Sequence, residues 1–221
     1  MISYYKYGNG NLLACEDSLT AAVFDILKYL PSEIFWDILK KASVRNSLPN
    51  VAGEMLSIEY WPKWDATETN NSNYVEPDVF IRFQDFDLII EAKRYDADMQ
   101  RNYQIEAEIQ SYKNEYGDEN KTVYLIQLGG LNEFDLDQIN SENIISKIRW
   151  MDLLLEIHKC RDKLGELNIS GFKHQQLIFE DAITAMELHG FFIQPWLKDL
   201  KTSFINYKSE NKILEWTKDY L

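Results

Sequence analysis

Residues 78–83 read DVFIRF, residues 84–85 QD, and residues 86–93 FDLIIEAK. Two runs rich in β-branched and aromatic residues, joined by two polar residues, predict a β-hairpin with a tight turn. The second run carries Leu88, Ile89 and Ile90 in a row. A strand that alternates would leave one of them in water, so this arm is expected to be covered on both faces, in the middle of a sheet.

Working outward from the hairpin, MLSIEY over 55–60 predicts a preceding strand, and the polar run from Asp65 to Tyr74 a loop. Further back, Leu19, Ala22, Val23, Ile26, Leu27 and Leu30 recur at helical spacing. They predict an amphipathic helix from about Leu12 to Leu30, stopped by Pro31, with a second helix over 32–42. Beyond the hairpin, an acidic break at Asp96 and Asp98 leads into a helix expected over 99–116, which ends at Gly117-Asp118. TVYLIQL over 122–128 predicts another buried strand closed by Gly129-Gly130, residues 144–150 a last short strand, and 151–164 a helix. Residues 171–221 read as mostly helical. This order predicts an α/β fold with a mixed β-sheet flanked by helices, the helix over 99–116 acting as a crossover between two strands. The expected organisation is a core over 1–165 and a helical C-terminal flank or lid over 166–221, packed on that core.

The hairpin also sets up a chemical constellation. Alternate residues of a strand share a face, so Glu91 and Lys93 point the same way and Ala92 the other. Asp78 opens the neighbouring arm, where its carboxylate can sit beside Glu91. Two carboxylates and an ammonium then converge at a strand end. Two carboxylates suit a hard divalent cation such as Mg²⁺ or Mn²⁺. Such an ion acidifies a bound water and stabilises charge on a phosphate, while a lysine orients the water or neutralises the transition state. The alternative is a turn residue at Asp78 and a solvated strand face at Glu91 and Lys93. Against it, Glu91 follows three apolar residues, where an unpartnered carboxylate is costly.

With Pro77-Asp78 followed by Glu91-x-Lys93 in that strand context, the chain resembles the PD-(D/E)xK nuclease superfamily over roughly residues 12 to 155. The resemblance implies a restriction-endonuclease-like core with a helical C-terminal extension. It also implies metal-dependent cleavage of phosphodiesters, with Asp78, Glu91 and Lys93 catalytic and Asp78 and Glu91 on the metal. Members often carry a glutamate on the first helix that reaches the metal, a place held here by Glu16. Several branches carry a polar residue on the helix after the lysine, and here Gln104 and Glu108 lie four apart with Tyr112 next on the same face. Each has a plainer alternative: for Glu16, a favourable charge at a helix N-terminus beside Asp17; for Gln104 and Glu108, the polar face of an amphipathic helix. The implied substrate is DNA more readily than RNA, and the implied activity an endonuclease of the kind used in restriction or phage defence.

Composition constrains the rest. The chain of 221 residues is 45% hydrophobic and 14% aromatic, enough for a real core. Its two cysteines, Cys15 and Cys160, exclude a disulfide framework or a Cys-based zinc site. The N-terminal residues lack the charge and apolar pattern of a signal peptide. No apolar run approaches the ~20 residues a membrane span needs. A cytoplasmic, soluble protein with no membrane partner is the expectation.

The net charge of −13, from 36 acidic and 23 basic side chains, opposes a simple nucleic-acid binder. The cations expected to line a groove are Lys93, Arg94, Arg101, Lys147 and Arg149; a homodimer or a basic partner subunit would supply the remainder. Two other readings follow from the same charge: a non-cutting binding or assembly subunit on the same fold, and an acidic protein that docks on a basic partner. His158, His174 and His189 show no metal spacing. Trp61, Trp64 and Trp150 are either base-stacking or core residues, with packing the commoner fate.

Overall fold

The computed structural model describes residues 5–8, 10–44, 48–95, 102–130, 144–167 and 170–193. Arg101 and the stretch 194–221 of the expected C-terminal flank lie outside the described residues.

Seven strands and five helices of regular length follow one another among these residues. Helix α1 (Glu16–Leu27) and helix α2 (Ser32–Ala42) come first, then β1 (Met55–Tyr60), β2 (Trp64–Asp65), β3 (Tyr74–Val75), β4 (Val79–Phe83) and β5 (Asp87–Ala92). Helix α3 (Asn102–Tyr116), β6 (Val123–Leu128), β7 (Ile144–Ile148), α4 (Trp150–Leu167) and α5 (Lys173–Leu188) complete the order. The expected α/β pattern is present. Five strands form a mixed sheet in the order β1-β4-β5-β6-β7, flanked by helices. The hairpin β4–β5 is antiparallel, with Val79 opposite Ile90 and Ile81 opposite Leu88. Strands β5 and β6 run parallel and are joined through α3, as a parallel pair requires.

The two faces of the sheet are covered unequally, which explains the triple apolar run. Val79, Ile81, Leu88, Ile90, Ile126, Leu128 and Ile148 face the large core, packed by α1, α2, α4 and α5. Phe80, Ile89 and Leu125 face the other way, onto Trp64 and onto Ile105, Ile109 and Tyr112 of α3. Leu88, Ile89 and Ile90 are all fully buried. Each contributes roughly 1.5–3 kcal/mol of apolar burial, so β5 is pinned in register from both sides. Ile178, Phe179, Ala182, Ile183 and Met186 of α5 belong to the same large core.

Three boundaries differ from the sequence reading. Helix α1 begins at Glu16, capped by Cys15 and Ser18. Its periodic run overstates it because Leu13 is 85% exposed and lies outside the helix. Trp150 opens α4 and does not close β7. The polar loop is bracketed by a two-residue pairing, Trp64 with Val75 and Asp65 with Tyr74, too short to register as periodicity. No helix among the described residues is long and apolar enough to cross a membrane.

Candidate active site

The register of the sheet lines up four polar side chains in one row on the α3 face. Asp78 precedes Val79 and so falls opposite Glu91; Glu91 pairs with Gln127, and Gln127 with Lys147. This row crosses the carboxyl ends of the parallel strands, where α/β sheets characteristically bind ligands.

The Asp78 carboxylate is held by one backbone donor and one side-chain donor. Its Oδ2 accepts the Ala92 N–H at 2.7 Å, and its Oδ1 accepts the indole N–H of Trp61 at 3.3 Å. Glu91, only 2% exposed, accepts the Lys93 ammonium on Oε1 at 2.7 Å and the Gln104 amide on the same oxygen at 2.6 Å. Lys93 also reaches Glu16 Oε1 at 3.4 Å, and the second oxygen of Glu16 accepts the Arg94 N–H at 3.0 Å. Asp78, Glu91, Lys93, Glu16 and Gln104 therefore meet in one place, brought together by α1, β4, β5 and α3.

Glu108 belongs to this cluster and not to a solvated helix face. It is fully buried, one turn beyond Gln104, and no donor reaches either of its carboxyl oxygens. Burial first, then the Glu91 charge beside it, pushes its carboxyl well above the ordinary range. The third member of the stripe, Tyr112, donates to Asp87 Oδ2 at 3.0 Å at the far end of β5. The i, i+4 spacing thus sets α3 along β5 like a rail.

Crowding raises the Asp78 carboxyl to about 7: burial dominates and the Glu91 charge adds to it, against the Ala92 N–H and Lys93. For Lys93, burial pulls the ammonium down, but the charge and hydrogen bond of Glu91, with Glu16 and Asp78 behind, outweigh it and hold it above the ordinary lysine value.

The donor set fits a hard divalent cation in kind, since Asp78, Glu91 and Glu16 offer only oxygens and their mutual repulsion is what a cation relieves. Among the described residues, however, no three acidic, histidine or cysteine side chains stand ready as a metal cage. The physical reason is visible: the Lys93 ammonium is the cation between Glu91 and Glu16.

The chain is 31% identical over 212 residues to the uncharacterized protein PM0110 of Pasteurella multocida (strain Pm70), a match spanning 95% of this chain and 75% of that protein. It belongs to the same family as that protein. No family model matches the chain, and no solved structure does.

Around the cluster, several residues act that spacing did not reveal. Gly129 adopts φ +72, and a Cβ there would collide with the Lys93 carbonyl oxygen. That same carbonyl accepts the Trp150 indole N–H at 2.8 Å, while Lys93 N–H donates to Leu128 O at 2.7 Å. Trp150 is thus a buried clamp and Trp64 a core residue; of these three tryptophans, Trp61 is the one at the carboxylates. His189 is buried, with Nε2 at 2.9 Å from Ser18 Oγ and Nδ1 at 2.7 Å from Ala185 O. It fastens the end of α5 to the start of α1, a pairing across the chain that no local pattern encodes.

The expected basic groove is altered. The Arg94 guanidinium turns inward, donating to Ala14 O and, at 3.4 Å, to His189 O, and lies 5.1 Å from the centre of the Tyr95 ring. It braces the start of α1 against the end of α5, where the His189 carbonyl follows the helix C-terminus and needs a donor. Lys147 lies in the polar row two strands from Glu91, and Arg149 is half-buried just beyond it.

Proposed function

We propose that this protein is a divalent-metal-dependent nuclease on a restriction-endonuclease-like core, hydrolysing phosphodiester bonds and most simply cutting DNA internally, as restriction or phage-defence enzymes do. The observation that carries the reading is the meeting of Asp78, Glu91 and Lys93, with Glu16 and Gln104, at the carboxyl end of β5.

Asp78, Glu91 and Glu16 are the residues that would hold the ion. When bound, Mg²⁺ or Mn²⁺ supplies an acidified water and charge neutralisation at the phosphate. The chain's own groups do the rest. Gln104 fixes the orientation of Glu91 through its Oε1. Glu108 backs Glu91 from the buried side. The Lys93 ammonium stays protonated beside the carboxylates and is placed to neutralise phosphate charge or orient a water. The clamp of Trp150 and Gly129 on the Lys93 carbonyl limits where that ammonium can go.

A second reading, a non-cutting binding or assembly subunit on the same fold, is favoured by the direct ion pair between Lys93 and Glu91 and by the net charge of −13. The two readings part in one experiment. Purified protein is incubated with plasmid and with single-stranded DNA and RNA in EDTA, Mg²⁺ and Mn²⁺. Cleavage in metal alone supports the nuclease; no cleavage of any substrate in any metal supports the binding subunit.

A further inference from the structure

We propose that Gln127 is a substrate-binding residue of this site, its side-chain amide donating to a non-bridging oxygen of the bound phosphate. The inference deepens the nuclease reading and rests on it for the location of the site.

Gln127 stands in the middle of the polar row, between Glu91 on β5 and Lys147 on β7. Its neighbours along β6 fix its direction. Leu125 packs toward α3, whereas Ile126 and Leu128 pack into the large core, so strand alternation turns Gln127 to the α3 face, the face that carries Glu91. The residue is only 6% exposed, and its amide has no hydrogen-bond partner among the described residues. The amide is nevertheless not sealed from solvent, so a ligand can reach it. Other buried polar side chains of the sheet are satisfied from within: Glu91 by Lys93 and Gln104, Asp87 by Lys121, Tyr112 and Arg82. A buried amide left unpaired weakens a fold, because it gives up water and gains no bond in return. Packing alone would be better served at this position by an apolar side chain.

The row is also polarised. The carboxylates Asp78 and Glu91 occupy one end, the neutral amide stands next, and Lys147 lies at the other end. Neighbouring strands are about 4.8 Å apart, so a phosphodiester backbone lying along the row passes over Glu91 and Gln127 together. Its negative oxygens need donors, and a chain at −13 offers few. Lys93 is paired with Glu91 and Glu16, and Arg94 donates to Ala14 O and His189 O. An amide N–H given to an anionic oxygen makes a charge-assisted hydrogen bond and adds no charge beside the carboxylates. Gln127 supplies that donor.

The test compares wild type with Gln127→Leu, which removes the amide at similar size, and with Gln127→Glu, which keeps the shape and replaces the donor by a carboxylate oxygen. Oligonucleotide affinity is measured for single-stranded and duplex DNA in Ca²⁺, as a metal that supports binding without cutting. Cleavage kinetics are followed in Mg²⁺ or Mn²⁺, and urea unfolding in EDTA. Gln127→Leu is expected to unfold at the same urea concentration as wild type or a higher one. It should bind whichever DNA wild type binds roughly 10- to 100-fold more weakly, the span of a hydrogen bond to a charged group converted at tenfold per 1.4 kcal/mol. Gln127→Glu should bind more weakly still. Folded Gln127→Leu that binds like wild type, with or without a lower urea midpoint, would overturn the proposal. So would Gln127→Glu that binds as tightly as wild type or tighter, the mark of an acceptor at this position, or wild type that binds no DNA. Binding that depends on Gln127 in a protein that never cuts would keep the proposal and remove the nuclease reading. Metal-dependent cleavage with unchanged KM and kcat in Gln127→Leu would do the reverse.

Discussion

The indole N–H of Trp150 donates to the main-chain carbonyl of Lys93 at 2.8 Å, and Gly129 lies against that same carbonyl so closely that no side chain fits there. The catalytic lysine of the proposed mechanism is therefore fixed from behind by α4 and by the turn after β6. Trp150→Phe should keep most of the packing and lose the donor, costing about 1 kcal/mol in urea unfolding while lowering turnover with little change in KM. Gly129→Ala must accommodate both a left-handed φ and the displaced carbonyl. It is expected to cost about 1–3 kcal/mol and to reduce cleavage further. Full turnover in folded Gly129→Ala would show that the clamp does not govern Lys93.

Asp78 gives a signed pH prediction. Its carboxyl is raised from 3.8 to about 7 by burial and then by Glu91. The folded state thus holds this proton more tightly than the unfolded chain. The associated stability is fully present below pH 4 or so, and is lost as pH rises through 7, by linkage on the order of 4 kcal/mol. Asp78→Asn keeps an acceptor for the Ala92 N–H and removes the titration. In EDTA it should unfold at a higher temperature than wild type at pH 8, and the difference should shrink toward pH 5. Equal midpoints at pH 8 would mean the crowding is absent.

Lys93 is the internal counter-ion of a carboxylate that is 2% exposed. Lys93→Met leaves Glu91 buried and without its cation, which is expected to cost about 3–5 kcal/mol at pH 8. Because the ammonium lies between Glu91 and Glu16, Mg²⁺ should restore much of that loss by taking its place, and should stabilise the variant more than wild type. Calorimetry with and without Mg²⁺ reads both effects. A variant indifferent to Mg²⁺ would argue against a cation site at these carboxylates.

The opposite end of β5 supplies a control. Asp87 is fully buried and accepts from Lys121 at 2.7 Å, from Tyr112 at 3.0 Å and from Arg82 at 3.4 Å. Asp87→Ala removes the carboxylate partner of Lys121, while Arg82 keeps Glu119, and should destabilise the fold by about 3–5 kcal/mol. It should leave the metal dependence of cleavage, measured below its unfolding temperature, unchanged.

The hairpin and its neighbours were legible in the sequence because two-sided burial writes itself as a run such as Leu88-Ile89-Ile90, and because strand alternation forces Glu91 and Lys93 to one side. Glu16 and Gln104 were legible through helix position and i, i+4 spacing, and both reach the cluster. Glu108 was harder to read, since a carboxyl buried in the core has the same letter as one facing water. The inward turn of Arg94 was hidden for a related reason. A guanidinium next to the site has the spacing of a phosphate contact, but Ala14 and His189 supply carbonyls that claim it. Trp61, Trp150 and His189 act through partners far away in the chain, and only the folded sheet brings Trp61 to Asp78 or His189 to Ser18.

The central claim meets its most direct test in metal-dependent cleavage by wild type beside Asp78→Asn, Glu91→Gln and Lys93→Ala. Purified proteins, matched for folded fraction, are incubated with plasmid and single-stranded DNA in EDTA, Mg²⁺ or Mn²⁺, and products are counted on gels over time. The account predicts that wild type cuts in Mg²⁺ or Mn²⁺ and not in EDTA, and that each of the three substitutions abolishes cutting in a folded protein. Cutting by wild type in EDTA, or wild-type rates in any of the three variants, would contradict it.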